Sequence, residues 1–177
     1  MTKEDIRALS IWKMNLKEGA IVLDIGAGTG TITVQASKIS RKGIVYSIER
    51  DKEAIDTTKR NLEKFKCNNV VLDEGEALDK LKSYKDENKR FDSIFIGGSG
   101  GNLEEIISLS NELIQNEGTI VMNFITLDNA YKAIETVKKL NYVVDISQVY
   151  ISKSRGQSYM MIANNPIYIV QCVRSVK

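Results

Sequence analysis

Asp24-Ile25-Gly26-Ala27-Gly28-Thr29-Gly30 follows the apolar run Ala20-Ile21-Val22-Leu23 and precedes the helical pattern Thr31 to Ile39. A buried strand that turns through glycines into a helix marks a ligand cradle. Glycine lets the backbone bend sharply and approach a ligand with no Cβ in the way, and the free N–H groups of the helix start favour an anion. The spacing also argues against one use of such a turn. A dinucleotide fingerprint needs its third glycine at position 31, where this chain has Thr31, and its third glycine comes one place earlier.

Downstream, strand and helix patterns alternate. Strands are expected at Gly43 to Ile48, Val70 to Leu72, Arg90 to Ile96 and Gly118 to Phe124. Helices are expected from Asp51 to Phe65, on to about Lys85, from Asn102 to Ile114 and from Asp128 to Leu140. Upstream, Lys3 to Met14 reads as an amphipathic helix, with Thr2 as N-cap, Asp5 as its partner and Trp12 packed inward. Tyr142 to Ser152 and Ser158 to Val173 are strand runs with no helix between them, so they should pair antiparallel. The fold class is α/β: a mostly parallel seven-stranded sheet, helices on both faces, and a C-terminal antiparallel β-hairpin. No linker or repeat divides residues 1–177, which read as a single domain.

Composition narrows the chemistry. The chain has 177 residues, 42% hydrophobic and 27% charged, with a net charge of +2. That charge is too small to point to nucleic acid, and no apolar run is long enough for a membrane span. The charged start (Lys3, Glu4, Asp5, Arg7) is unlike a signal peptide, and Cys67 and Cys172 suggest no disulfide framework. A cytoplasmic location is expected. The chain contains no histidine, which excludes Ser-His-Asp and Cys-His hydrolases and argues against a zinc site.

Two carboxylate positions extend the glycine cradle. Glu49 ends the second strand, where a carboxylate can accept both hydroxyls of a ribose; its plainer role is to cap the next helix. After the third strand come Asp73, Glu74, Gly75, Glu76 and Ala77. Any of the three acids could face a purine, and Ala77 is small enough to let one lie flat.

The D-x-G-x-G-x-G spacing resembles motif I of class I methyltransferases, a Rossmann-like class that uses S-adenosylmethionine. More of the chain resembles one family within it, the cobalt-precorrin carbon-15 methyltransferases (decarboxylating) of cobalamin biosynthesis. The resemblance rests on Met1 to Leu9, the turn from Asp24 to Gly30, Ile96-Gly97-Gly98-Ser99-Gly100-Gly101-Asn102-Leu103, Asn123 to Leu127, and Asn165-Pro166-Ile167. The second glycine cluster and the Thr2-Lys3 head are the more specific parts. Glu4-Asp5 departs from the family, whose members often carry a basic residue there.

The resemblance implies methyl transfer from S-adenosylmethionine to ring carbon 15 of a corrinoid substrate, with loss of the carbon-12 acetate arm as carbon dioxide and S-adenosylhomocysteine as product. In that frame Thr2, Gly26, Ala27, Gly28, Thr29, Gly30, Glu49, Ala77 and Gly97 contact the cofactor. Gly98, Gly100, Arg7 and Arg155 contact the substrate, whose carboxylates could also reach Lys3 and Lys153. Ser99, Asn102 and Asn123 position it. Each has a plainer role beside this one: helix caps for Thr2 and Asn102 (the latter with Glu105), local backbone bonding for Asn123, solvated surface for the cations. No protein-bound metal is implied; any cobalt would belong to the substrate. A chain of this family corresponds to the carbon-15 half of fused carbon-5,15 enzymes and forms a homotetramer. Self-association would cover the apolar terminal hairpin.

Three other readings compete. One is a methyltransferase acting on RNA or protein, of the transfer-RNA adenine or isoaspartate type. The others are a NAD-dependent reductase and a nucleotide-binding module without catalysis. Asn164-Asn165-Pro166-Ile167-Tyr168 resembles the Asn-Pro-Pro-Tyr motif of amino-methyltransferases, but it stands in the last strand run instead of after the fourth strand, so it reads as structural.

Overall fold

A computed structural model describes residues 3–98 and 101–174. The first strand, β1 (Val22–Ile25), is buried throughout, as expected for a parallel strand covered on both faces. It pairs in parallel with β2 (Val45–Glu49) on one side and β4 (Phe91–Ile96) on the other. β3 (Val70–Glu74) and β5 (Ile114–Phe124) extend the sheet outward, also in parallel. The order is β3-β2-β1-β4-β5-β9-β6, where β6 is Tyr142–Val149 and β9 is Ile167–Arg174. β9 runs antiparallel to both β5 and β6. The expected seven-stranded, mostly parallel sheet is present.

Side-chain alternation assigns the two faces. Leu23, Ile25, Ile94, Ile96, Ile120 and Met122 join one core, under α4 (Ala77–Asp86), α5 (Leu103–Leu113) and α6 (Leu127–Lys139). Val22, Val45, Phe95, Val121 and Ile169 join the other, under α1 (Glu4–Lys13) and α2 (Thr31–Ile39), with α3 (Lys52–Lys64) packed beside α2. Asp24 and Asn123 are in step with the second set and so point toward the α1 and α2 side. None of the described helices is long and apolar enough to cross a membrane.

Four local expectations need correction. Lys3 is the N-cap of α1 and makes no capping bond, so Asp5 has no reciprocal partner there. Asn102 is the N-cap of α5, but its φ of −104° and ψ of 37° fall outside the extended conformation of a capping residue, and its side chain caps nothing. Its expected partner Glu105 pairs instead with Lys82.

The third correction concerns Trp12, which is 73% exposed. Ile6, Ser10, Ile11 and Lys13 are the buried residues of α1, with Met14 buried at its C-cap, and Trp12 lies about 200° around the helix from Ser10. Lys13, in the buried stripe, snorkels to Asp145 on β6.

The fourth is the extent of the terminal strand runs, which pair antiparallel as expected through β6 and β9 but are each split. Between β6 and β9 a separate two-stranded ribbon forms, β7 (Ser152–Arg155) against β8 (Met160–Ala163). Pro166 sits in the break between β8 and β9, not within a strand. Lacking an N–H, it cannot continue a ladder, and the Asn164 N–H closes the ribbon's root on the Ile151 carbonyl at 2.9 Å.

Candidate active site

Because β1 to β5 are parallel, their carboxyl ends share one edge of the sheet. The order of strands reverses between β1 and β4, which opens a crevice there. Gly26 leaves β1 and Gly97-Gly98 leaves β4 at this point, and the two backbones touch. A Cβ on Gly26 would lie 2.8 Å from the Gly98 nitrogen. Gly26, Gly28 and Gly30 have φ of 72°, 58° and 71°, so every second residue of the turn is left-handed. That alternation is the physical content of the G-x-G-x-G spacing.

Two hollows meet at Gly26. The larger is lined by Gly26, Ala27, Gly28 and Asp24, by Lys3 and Ile6 of the N-terminal segment, and by Asn123, Ile151 and Asn164 across from them. The smaller is lined by Gly26, Glu49, Arg50, Gly75, Glu76, Ala77 and Gly98. Gly97 and Asn123 also line a third, adjoining hollow. Glu49 and Ala77, 28 residues apart in sequence, thus face one space.

Glu49 does more than sit at the rim. One carboxylate oxygen accepts the Gly28 N–H at 2.7 Å, and the other accepts the N–H groups of Arg50 and Asp51 at 2.8 and 2.9 Å. It ties the glycine turn to the start of α3, whose side-chain cap is Asp51. A carboxylate has about four acceptor positions, so these three bonds leave room for a ligand hydroxyl. The three neighbouring acids separate cleanly. Asp73 accepts from the Tyr84 hydroxyl, Glu74 pairs with Lys59, and Glu76 pairs with Arg50 at 3.2 Å beside the smaller hollow.

Asp24 is wholly buried and lines the larger hollow. Thr33 donates to its Oδ2 at 2.5 Å, and Ser47 lies 3.0 Å from the Thr33 hydroxyl. Its Oδ1 has no hydrogen-bond partner among the described residues. Desolvation pushes its carboxyl up to about 7, against the hydrogen bonding of Thr33, and the nearby Glu49 charge adds to the rise. A buried carboxylate oxygen without a partner, on a residue that lines a cavity, is suited to a cationic or N–H donor ligand group.

Asn123 is fixed by Ser10, a buried residue of α1. The Ser10 hydroxyl donates to the Ile6 carbonyl at 2.7 Å, and Asn123 Nδ2 donates to Ser10 Oγ at 2.8 Å. The Asn123 amide oxygen also lies 3.2 Å from the Ser10 hydroxyl, and the residue lines the cleft. Of the expected cations, Lys3 lines the cleft and donates to the Asn164 side chain. Lys153 pairs with Asp5 at 2.6 Å, which clasps the ribbon to α1. Arg7 bonds Gln35 on α2 at 3.0 Å, and Arg155 is exposed on the ribbon; neither lines the described cleft. Thr29 and Gly30 face α3 instead, and Asn102 is exposed at the start of α5. Thr2, Ser99 and Gly100 lie outside the described residues.

A family profile described as "Precorrin methyltransferase domain" matches residues 1–174. The chain is 46% identical over 173 residues to a Sulfurisphaera tokodaii protein named "Probable cobalt-precorrin-6B C(15)-methyltransferase (decarboxylating)", covering 96% of this chain and 88% of that one. Among solved structures, a precorrin-6y C5,15-methyltransferase from Geobacter metallireducens superposes with a TM-score of 0.93 at 35% identity, covering 99% of this chain and 90% of that one. A precorrin-8W decarboxylase from Methanobacterium thermoautotrophicum superposes with a TM-score of 0.90 at 30% identity, with 97% and 91% coverage.

Proposed function

Since the chain belongs to the precorrin methyltransferase family, we propose that it methylates ring carbon 15 of a cobalt-precorrin of the 6B type from S-adenosylmethionine and decarboxylates the carbon-12 acetate arm. The observation that carries the cofactor assignment is the wholly buried Asp24, which lines the same cleft as Gly26 to Gly28 and has one carboxylate oxygen without a hydrogen-bond partner among the described residues. The methionine end of S-adenosylmethionine is an α-amino acid, whose ammonium suits that oxygen. Gly26 and Ala27 donate their N–H groups to the Ile48 carbonyl, Gly28 to Glu49 and Gly30 to the Ala27 carbonyl, which among the described residues leaves the Thr29 N–H as the turn's donor for the cofactor's carboxylate.

When bound, S-adenosylmethionine supplies a methyl group already made electrophilic by its sulfonium. The protein's part is therefore chiefly positioning. Glu49 takes a ribose hydroxyl in the smaller hollow, and Ala77 leaves a flat space for the purine. Gly97, at the end of β4, leaves the reacting face unobstructed, while Asn123, oriented by Ser10, holds a substrate arm. The electron pair released with carbon dioxide passes into the conjugated macrocycle, so decarboxylation asks the chain for no histidine.

Calorimetry tests the cofactor and mass spectrometry the reaction. Micromolar binding of S-adenosylhomocysteine without binding of NAD is expected; the reverse would sink the assignment. With S-adenosylmethionine and a cobalt-precorrin-6B substrate, the product should gain one methyl group and lose one carbon dioxide. An unchanged substrate mass beside an active control would reject the reaction.

The reading extends to assembly as a homotetramer. β6 is an edge strand carrying exposed Val143 and Ile146, and the ribbon exposes Tyr159, Met160 and Met161. A two-stranded ribbon is marginal in water unless something packs on it, and an apolar edge strand invites pairing. Light scattering at micromolar concentration should give four times the mass of the 19.8 kDa chain. A monomer mass would exclude the assembly.

A further inference from the structure

The glycine turn is held from behind by α3. The Thr58 hydroxyl donates to the Gly28 carbonyl at 2.8 Å, and Asn61 Nδ2 donates to the Thr29 carbonyl at 2.8 Å. Thr58 and Asn61 are three residues apart, so they lie on one face of the helix. The fit is close, because a Cβ on Gly30 would lie 2.7 Å from Thr58 Cγ2. No described residue of α3 lines either of the two cofactor hollows.

These two bonds set where the turn's donors point. A trans peptide is planar, with its C=O and the following N–H on opposite sides. Anchoring the Gly28 carbonyl on α3 therefore turns the Thr29 N–H away from α3. The N–H of Gly28 is taken by Glu49, so this residue is gripped at both ends of its backbone. Three left-handed residues in five give the turn many alternative conformations when it is unbraced.

We propose that Thr58 and Asn61 are positioning residues for the methyl donor: they preorganise the glycine turn from the side opposite the cleft and so set cofactor affinity without touching the cofactor. This rests on the cofactor assignment above. Thr58→Val keeps the shape and removes the hydroxyl; Thr58→Ser restores the hydroxyl without the methyl. Asn61→Leu gives an independent arm on the second bond, should Thr58→Val not fold.

For folded variants, Thr58→Val and Asn61→Leu should each raise the calorimetric Kd of S-adenosylhomocysteine about tenfold, the scale of one lost hydrogen bond to an ordered backbone. Thr58→Ser should recover most of that loss. In turnover, KM for the methyl donor should rise by the same factor, while kcat at saturation changes by less than about twofold. A Kd near the wild-type value in both Thr58→Val and Asn61→Leu would overturn the proposal, as would equal losses in Thr58→Ser and Thr58→Val. Wild-type protein that binds no S-adenosylhomocysteine would overturn the cofactor assignment and the brace with it.

Discussion

Gly26→Ala is expected to abolish measurable binding of S-adenosylhomocysteine and to lower stability by about 2–4 kcal/mol, combining a forbidden backbone conformation with a close contact. Gly26 has a φ of 72°, which costs an L-residue about 1–2 kcal/mol. The added Cβ would also lie 2.8 Å from the Gly98 nitrogen and 3.0 Å from its Cα and carbonyl oxygen. These are backbone atoms, so relief requires the ends of β1 and β4 to separate at the point where both hollows meet. Gly98→Ala makes the informative comparison. Its Cβ would meet nothing within 4 Å, so it should fold with nearly wild-type stability and lose only ligand-dependent properties. Thermal melting and calorimetry on the two variants measure both effects. A Gly26→Ala protein that binds the product within about tenfold of wild type would show that the two strand ends can part, contrary to the close-packing argument.

Features of the sequence that depend on local pattern are the ones that survive into the structure. The apolar runs that become β1 and β4 need burial on both faces, and only a parallel sheet under two helical layers supplies it. The glycine turn is legible because Gly26, Gly28 and Gly30 take left-handed conformations that other residues disfavour. What pattern could not show is which partner a polar side chain takes. Thr58 and Asn61 read as the polar side of an amphipathic helix, and nothing in their spacing separates solvent from a carbonyl of the glycine turn. Asp73, Glu74 and Glu76 are equivalent in sequence until Tyr84, Lys59 and Arg50 claim them. Trp12 fails for a related reason: hydrophobicity argues for burial, but the stripe of α1 is set by Ile6, Ser10 and Met14, and Trp12 falls on the other side.

Asp24→Asn is expected to stabilise the protein at pH 8 and to change it little at pH 4. The Asp24 carboxyl titrates near 7 in the folded protein, against an ordinary value of 3.8, because burial opposes its charge. Between these values the folded chain holds a proton that the unfolded chain has lost. The contribution of the protonated group is therefore complete below about pH 4 and disappears as pH rises through about 7. Three pKa units correspond to about 4 kcal/mol, an upper value because relaxation and entering water reduce it. Denaturant midpoints of wild type and variant should coincide at pH 4 and diverge up to pH 8, with the variant the more stable. Binding should respond in the opposite sense. The ammonium of the methionine moiety favours the ionised Asp24, so wild-type affinity for S-adenosylhomocysteine should rise from pH 5 to pH 7, with a proton released on binding. The neutral amide of the variant cannot supply the charge, and its weaker affinity should be flat over that range. Stability and affinity are thus set against each other at one carboxylate: the charge that costs the fold at neutral pH is the charge that seats the methyl donor. A variant that is both less stable at pH 8 and unchanged in affinity would assign Asp24 to the core alone.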